Sequence, residues 1–260
     1  MVNNCRLELE DQAFLAAQGE VPQAFMSFQR PAEVGVEWHH TENQGRIGSC
    51  QGNDLSSCLE RLLFVRTGRR DQLSRIFAYL GTQKLDGLLG VDQGSTITGG
   101  MKLALQYGVP PESLTGYPTA YPSAASIRSI LSQQNYLAGA PFKAATSCIL
   151  GPDPEQAMNL IGGGGAVTFG IGWYNMIPAD RIVRKYTPPA QCGGHANAVL
   201  GYTKDGLLIA LNSWGDGPYK ITPEAWQQMV KRRGNVFGGL MGTQGTPVDW
   251  VKDSPWNFGG

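Results

Sequence analysis

The stretch Asn43-Gln44-Gly45-Arg46-Ile47-Gly48-Ser49-Cys50, with the run that follows it, limits the fold of this chain more than any other. Leu55, Cys58, Leu59, Leu62 and Leu63 recur at the spacing of one helical face. The Gly-Ser turn therefore delivers Cys50 to the first turn of a helix with an apolar stripe, and Asn53, Ser56, Ser57 and Glu60 are expected on its polar face. At a helix N-terminus the unpaired N–H groups and the dipole favour a thiolate. Cys50 is then either an activated nucleophile or one more small buried hydrophobe, and a base elsewhere in the chain decides between them.

Three histidines can supply that base: His39, His40 and His195. His195 opens the apolar run Gly193–Tyr202, and Thr203-Lys204-Asp205-Gly206 is a hairpin signal. The return, Leu207–Leu211, runs into Asn212-Ser213-Trp214-Gly215. A turn on Lys204-Asp205 sets His195 opposite position 214, and a turn on Asp205-Gly206 sets it opposite 216. In either register Asn212 is offset by an even number of residues, which puts it on the same face of the ribbon as His195. An Asn amide there accepts the imidazole N–H and leaves the other ring nitrogen for a thiol. The competing readings are a structural histidine in a hairpin, or a base from His39-His40, which precede any recognisable scaffold.

At 260 residues the chain is long enough for one large domain or two lobes sharing a cleft. Helices are predicted over Leu7–Gln18, residues 50–64 ending at Thr67-Gly68, Asp71–Leu80, Met101–Tyr107 and Asp153–Ile161, with Gly87–Gly100 as loop. Strands are predicted over Ala166–Ile171, His195–Tyr202 and Leu207–Leu211. The pattern is α+β, divided as an N-terminal extension (1–36), a helical lobe carrying Cys50 (37–140) and a β-rich lobe carrying His195 and Asn212 (141–260). Gly162–Gly165 precede a strand and lack a following Lys-Ser/Thr, so they do not form a phosphate loop.

With 21 basic and 21 acidic residues the chain has no net charge, and neither nucleic acid nor a membrane is expected as a partner. The start has no apolar segment of a secretory signal, and no apolar run is long enough for a membrane span. Cys5, Cys50, Cys58, Cys148 and Cys192 are odd in number and without paired spacing, and no Asn-x-Ser/Thr sequon occurs. These features point to a reducing compartment, cytoplasmic or particle-associated.

Gln44-Gly45-x-x-Gly48-Ser49-Cys50 resembles the nucleophile motif of the papain family of cysteine peptidases. Gly194-His195-Ala196 and Asn212-Ser213-Trp214-Gly215 resemble its base and orienter motifs, in the same chain order. Leu73-Ser74, Asp92-Gln93-Gly94 and Gln106-Tyr107-Gly108-Val109-Pro110-Pro111-Glu112-Ser113 are similar to its left-lobe landmarks. The resemblance spans roughly residues 37–245 and is closest to the disulfide-poor branch found in bacteria and viruses. It implies a two-lobe fold, helical on the left and an antiparallel β-barrel on the right. It implies an endopeptidase needing no cofactor and no metal. Cys50 is then the nucleophile, a thiolate paired with His195 imidazolium. Asn212 orients His195 under Trp214, and Gln44 shares the oxyanion hole with the Cys50 backbone N–H. Substrate is expected against Gly94, Gly194 and Trp214, with Trp173 as one wall of the specificity pocket.

The chain departs from the family pattern at several points. Gln51 replaces the aromatic after the nucleophile, and Ile47 replaces the cysteine three residues before it, whose disulfide partner near Val91-Asp92 is also missing. Asp216-Gly217-Pro218-Tyr219 shortens the loop after Asn-Ser-Trp-Gly. The extension is shorter than the long helical prosegment of many members, which implies control by assembly, by location or not at all. Two other functions fit the same residues: another acyl-transfer enzyme such as a cell-wall amidase, and a catalytically idle component of a larger assembly such as a virus particle.

Overall fold

Helix α3 (Cys50–Thr67) is the element on which the others pack in this computed structural model, which describes residues 5–242. The expected polar face of this helix is buried too: Asn53, Ser56, Ser57 and Glu60 are each at most 2% exposed. These groups tolerate burial because each finds a partner. The Ser56 and Ser57 hydroxyls donate to the Asn53 carbonyl, Glu60 accepts the Leu73 N–H at 2.7 Å, and Arg61 donates to the carbonyls of Ile161 and Gly165. Gly68, at φ +72°, ends the helix by donating its N–H to the Phe64 carbonyl.

Two more helices lie against α3, both offset from the predicted bounds by their caps. Helix α4 (Arg75–Asp86) starts where the Ser74 side chain accepts the Phe77 N–H, later than Asp71. Helix α5 (Ile97–Gln106) starts at its Thr96 cap, earlier than Met101 and inside the predicted loop. Leu73 bridges Pro111, so two of the sequence landmarks meet side by side. Two short helices not predicted, α6 (Ala124–Ile130) and α7 (Gln133–Gly139), are capped by Ser123 and Ser132. The predicted Leu7–Gln18 helix is a 3-10 turn followed by α1 (Gln12–Ala17), because Asp11 caps midway, and α2 (Gln23–Ser27) follows.

Beyond residue 145 the chain builds a sheet from β1 (Thr146–Ile149), β2 (Ala166–Gly172), β3 (Ile182–Val183), β4 (Gly194–Tyr202), β5 (Leu208–Leu211), β6 (Pro218–Ile221) and β7 (Val236–Met241). The order is β1-β7-β2-β4-β5-β6-β3. The sheet is mostly antiparallel, as expected of the right lobe, and its edge pair β3–β6 is parallel. Helix α8 (Pro154–Gly162) precedes β2 as predicted, capped by Asp153, and α9 (Pro223–Lys231) follows β6. Strand β4 separates two apolar clusters: Ala196, Ala198 and Leu200 pack with the helices, Val199 and Tyr202 with Phe169, Trp226 and Phe237. No helix among the described residues is long and apolar enough to cross a membrane.

The β4–β5 hairpin reaches the predicted register by a different route. Its loop has three residues, with Gly206 at φ +80°, and Thr203 pairs with Leu207. An odd loop alone would put His195 and Asn212 on opposite faces. The ladder slips by one between Val199 and Gly201, and below that irregularity Ala198 faces Leu211. The bulge cancels the odd loop and restores the even offset.

Candidate active site

Cys50 is the first residue of α3 and is fully buried. The turn before it is clamped on both sides. The Gly48 N–H donates to the Asp92 carboxylate at 3.0 Å, and Asp92 also accepts the Tyr79 hydroxyl at 2.8 Å. Ser49 and Tyr117 share a hydroxyl hydrogen bond of 2.6 Å, and the Tyr117 hydroxyl reaches the Gln44 carbonyl. All five cysteines are free thiols. Asp92 thus ties the turn before Cys50 to the chain around residue 92 by hydrogen bonds to Gly48 and Tyr79.

His195 stands at the start of β4 with Nε2 at 2.9 Å from Asn212 Oδ1. The same oxygen accepts the Ser213 N–H at 2.9 Å, which fixes the amide orientation. The imidazole therefore donates from Nε2, and Nδ1 is the nitrogen left to exchange a proton. Trp214 stacks on the ring at 4.4 Å between centroids, and Trp173 meets it edge-on at 4.7 Å. Trp173 is thus part of the packing around the imidazole. Ala196, next to His195, belongs to the apolar cluster that holds Cys50. Gln44 is held from two directions: Ser213 donates its hydroxyl to Oε1 at 2.6 Å, and Nε2 donates to the Ile47 carbonyl at 3.0 Å.

The groove beside these residues contains part of the chain itself. Cys5 bridges Ser95 on one wall and Gly194 on the other, with its N–H on the Gly194 carbonyl at 2.9 Å. The Arg6 N–H donates to the Ser95 carbonyl at 3.0 Å. A Cβ on Gly194 would run into the Cys5 carbonyl, so the close approach needs glycine there. Glu10 anchors the segment on α5 by accepting the N–H groups of Ile97 and Thr98, both at 2.8 Å. Asp11 adds an ion pair to Lys102. Burial pushes the Glu10 carboxyl up to about 7, against these hydrogen bonds.

This occupied groove changes two expectations. Gly94 does not face the groove with free backbone groups: its N–H donates to the Tyr79 hydroxyl and its carbonyl accepts from Gln83. Ser95 takes that position, and its own hydroxyl bonds Gln51, the residue that replaced the aromatic. The thiolate–imidazolium pair is also disfavoured while the groove is covered. Burial lowers the His195 pKa to about 4, with the Asn212 hydrogen bond acting the other way. Burial pushes the Cys5 thiol well up, and the neighbouring Glu10 and Cys50 charges add to it.

Sequence reasoning missed Asp92 as a clamp and Cys5 as a groove residue. Asp92 is legible only as the replacement for an absent cysteine, and nothing in the pattern around Cys5 marks it. A second cluster, His39, His40, Glu42 and Glu60, brings imidazoles and carboxylates together.

No family model matches the chain, and no curated protein matches it in sequence. Solved structures do match. Xylellain, a cysteine protease from Xylella fastidiosa, is 23% identical over 88% of this chain and 93% of its own, with a TM-score of 0.70. Digestive procathepsin L 3 from Tenebrio molitor larval midgut is 16% identical over 88% of this chain and 78% of its own, with a TM-score of 0.64. The Carica candamarcensis cysteine protease CMS1MS2, solved with E-64, is 15% identical over 82% of this chain and 100% of its own, with a TM-score of 0.60. The chain has the fold of the papain-like cysteine proteases.

Proposed function

We propose that the chain is a papain-like cysteine endopeptidase of the disulfide-poor branch, working in a reducing compartment on peptide or protein substrates. The observation that carries this reading is the extended segment at Cys5. A groove that hydrogen-bonds backbone on both walls, at Ser95 and Gly194, runs directly past His195. A substrate would replace that segment strand for strand.

In the proposed mechanism His195 Nδ1 takes the Cys50 thiol proton, and Sγ bonds to the peptide carbonyl carbon. The carbonyl π electrons move to oxygen, where the Cys50 N–H and a Gln44 amide N–H stabilise the charge. The C–N bond then breaks as His195 gives its proton to the leaving amine. Water passes a proton to His195 and its oxygen attacks the thioester, so that Cys50 leaves as thiolate and recovers the proton. Asn212 keeps the Nε2–H tautomer throughout, and Trp214 shields that hydrogen bond from water. The division into an N-terminal extension (1–36), a Cys50 lobe (37–140) and a His195 lobe (141–260) puts the reacting pair across the groove.

A second reading is favoured by the covered groove and the low His195 pKa: an idle papain-fold component of an assembly. The two are separated with Cys5→Pro, which removes the N–H that holds the segment to Gly194. Incubation with a peptide library, Cys50→Ala serving as blank, should give new termini by mass spectrometry. A folded Cys5→Pro chain that cleaves nothing and takes no epoxysuccinyl label at Cys50 contradicts the peptidase reading and supports the idle one. Cleavage of muropeptides but not casein would move the assignment to an amidase.

A further inference from the structure

We infer that His39, His40, Glu42 and Glu60 form a structural site for one zinc ion, outside the proposed catalytic residues. The four donor atoms lie within 4.8 Å of one another. His39 Nε2 is 3.0 Å from Glu60 Oε2, and His40 Nε2 is 3.7 Å from the same oxygen and 2.6 Å from Glu42 Oε1. Donors around a tetrahedral zinc with bonds of 2.0–2.1 Å stand about 3.3 Å apart, within the spread of these separations.

Hydrogen bonding gives the stronger argument. The His39 and Glu60 side chains are 1% and 2% exposed. Their Nε2 and Oε2 atoms are close but not aligned as a hydrogen bond, and neither has such a partner among the described residues. Two buried polar atoms 3.0 Å apart, without a hydrogen bond between them, call for a third group there. The outer partners are already in place. The Leu73 N–H holds Glu60 Oε1 at 2.7 Å, and Arg75 holds Glu42 Oε2 at 2.6 Å. These contacts turn the other carboxylate oxygens toward the imidazoles, an arrangement that commonly orients metal ligands. Two imidazoles and two carboxylates suit Zn²⁺, and four protein donors make a closed site rather than one with an open catalytic position. A cavity of about 170 Å³ lined by His39, His40, Glu42 and Asn212 gives a path of entry.

The ion would join α3, through Glu60, to the strand-like segment 42–44. That segment is bonded to the Asn212 loop, since the Gly215 N–H donates to the Glu42 carbonyl and the Gln44 N–H to the Ser213 carbonyl, each at 2.8 Å.

Metal uptake is measured in metal-stripped Cys50→Ala protein, so that the Cys50–His195 pair cannot bind the ion. Titration should show one equivalent of Zn²⁺ per chain and a thermal midpoint that rises with zinc concentration. X-ray absorption should show a first shell of imidazole nitrogen and carboxylate oxygen without sulfur. His40→Ala and Glu60→Gln on the same background should each weaken uptake by at least about 100-fold. No uptake at millimolar zinc, a sulfur-containing shell, or uptake unchanged in both variants overturns the site. The spectroscopic result stands even if a variant fails to fold, and none of these outcomes depends on peptidase activity.

Discussion

Two buried histidine sites lie within a few residues' reach of the 42–44 segment, and their partners separate them. His195 has one neutral partner, Asn212, under the Trp214 ring, and burial keeps its pKa low. His39 and His40 face the carboxylates of Glu60 and Glu42, and the Glu42 hydrogen bond raises His40 above its ordinary value despite partial burial. A neutral amide orients an imidazole without fixing its charge, so the ring stays free to take up and release a proton. Carboxylates favour a lasting positive charge, whether a proton or a cation. The first arrangement suits chemistry and the second suits structure. Glu42 belongs to one and Gln44 to the other, two residues apart.

Substitutions should separate the two sites. Cys50→Ala is expected to lower turnover by about 10⁴-fold or more while leaving the thermal midpoint nearly unchanged. Glu60→Ala should do the reverse. It breaks a buried polar cluster, at about 3–5 kcal/mol, and lowers the midpoint by about 10 °C in calorimetry, with kcat per folded molecule within a few fold. A large kcat loss in Glu60→Ala would merge the two sites into one. Gln44→Ala should reduce kcat about 10²–10³-fold with KM little changed, as removal of an oxyanion donor does.

The pH dependence sharpens the contrast at His195. Its pKa is lowered from 6.5 to about 4 in the covered groove. The contribution to stability is therefore complete above pH 6.5 and is lost as pH falls toward 4, about 3 kcal/mol in all. An NMR titration of the imidazole should show it neutral until about pH 4 in the intact chain and titrating higher in Cys5→Pro. The smallest effect expected is at Asp92. Asp92→Asn keeps the Tyr79 and Gly48 contacts in shape but not their charge, which should cost about 1 kcal/mol in denaturant unfolding.

The candidate catalytic residues could be read in the sequence because each lies in a short local pattern. Cys50 follows a Gly-Ser turn into an apolar stripe, and His195 and Asn212 sit on the two arms of one hairpin. Even there the register came out right through two compensating features, a three-residue loop and a bulge between Val199 and Gly201, that period counting does not reveal. The burial of the polar side of α3 is not legible in the sequence because helical periodicity cannot see partners from distant segments, such as Leu73 for Glu60 or Gly165 for Arg61. Substrate positions were less legible. Gly94 and Ser95 are neighbours, and only the Tyr79 and Gln83 side chains decide which of them faces the groove. The His39–Glu60 cluster joins a pair of adjacent histidines to a helix residue that carries no motif, so nothing short of the fold brings it together.

The central claim is tested most directly by labelling and turnover at one thiol. Cys5→Pro protein treated with a stoichiometric epoxysuccinyl probe should carry it on Cys50 alone and lose peptide cleavage in the same proportion. Label on Cys50 with cleavage unaffected, or cleavage that persists in Cys50→Ala, would contradict the account.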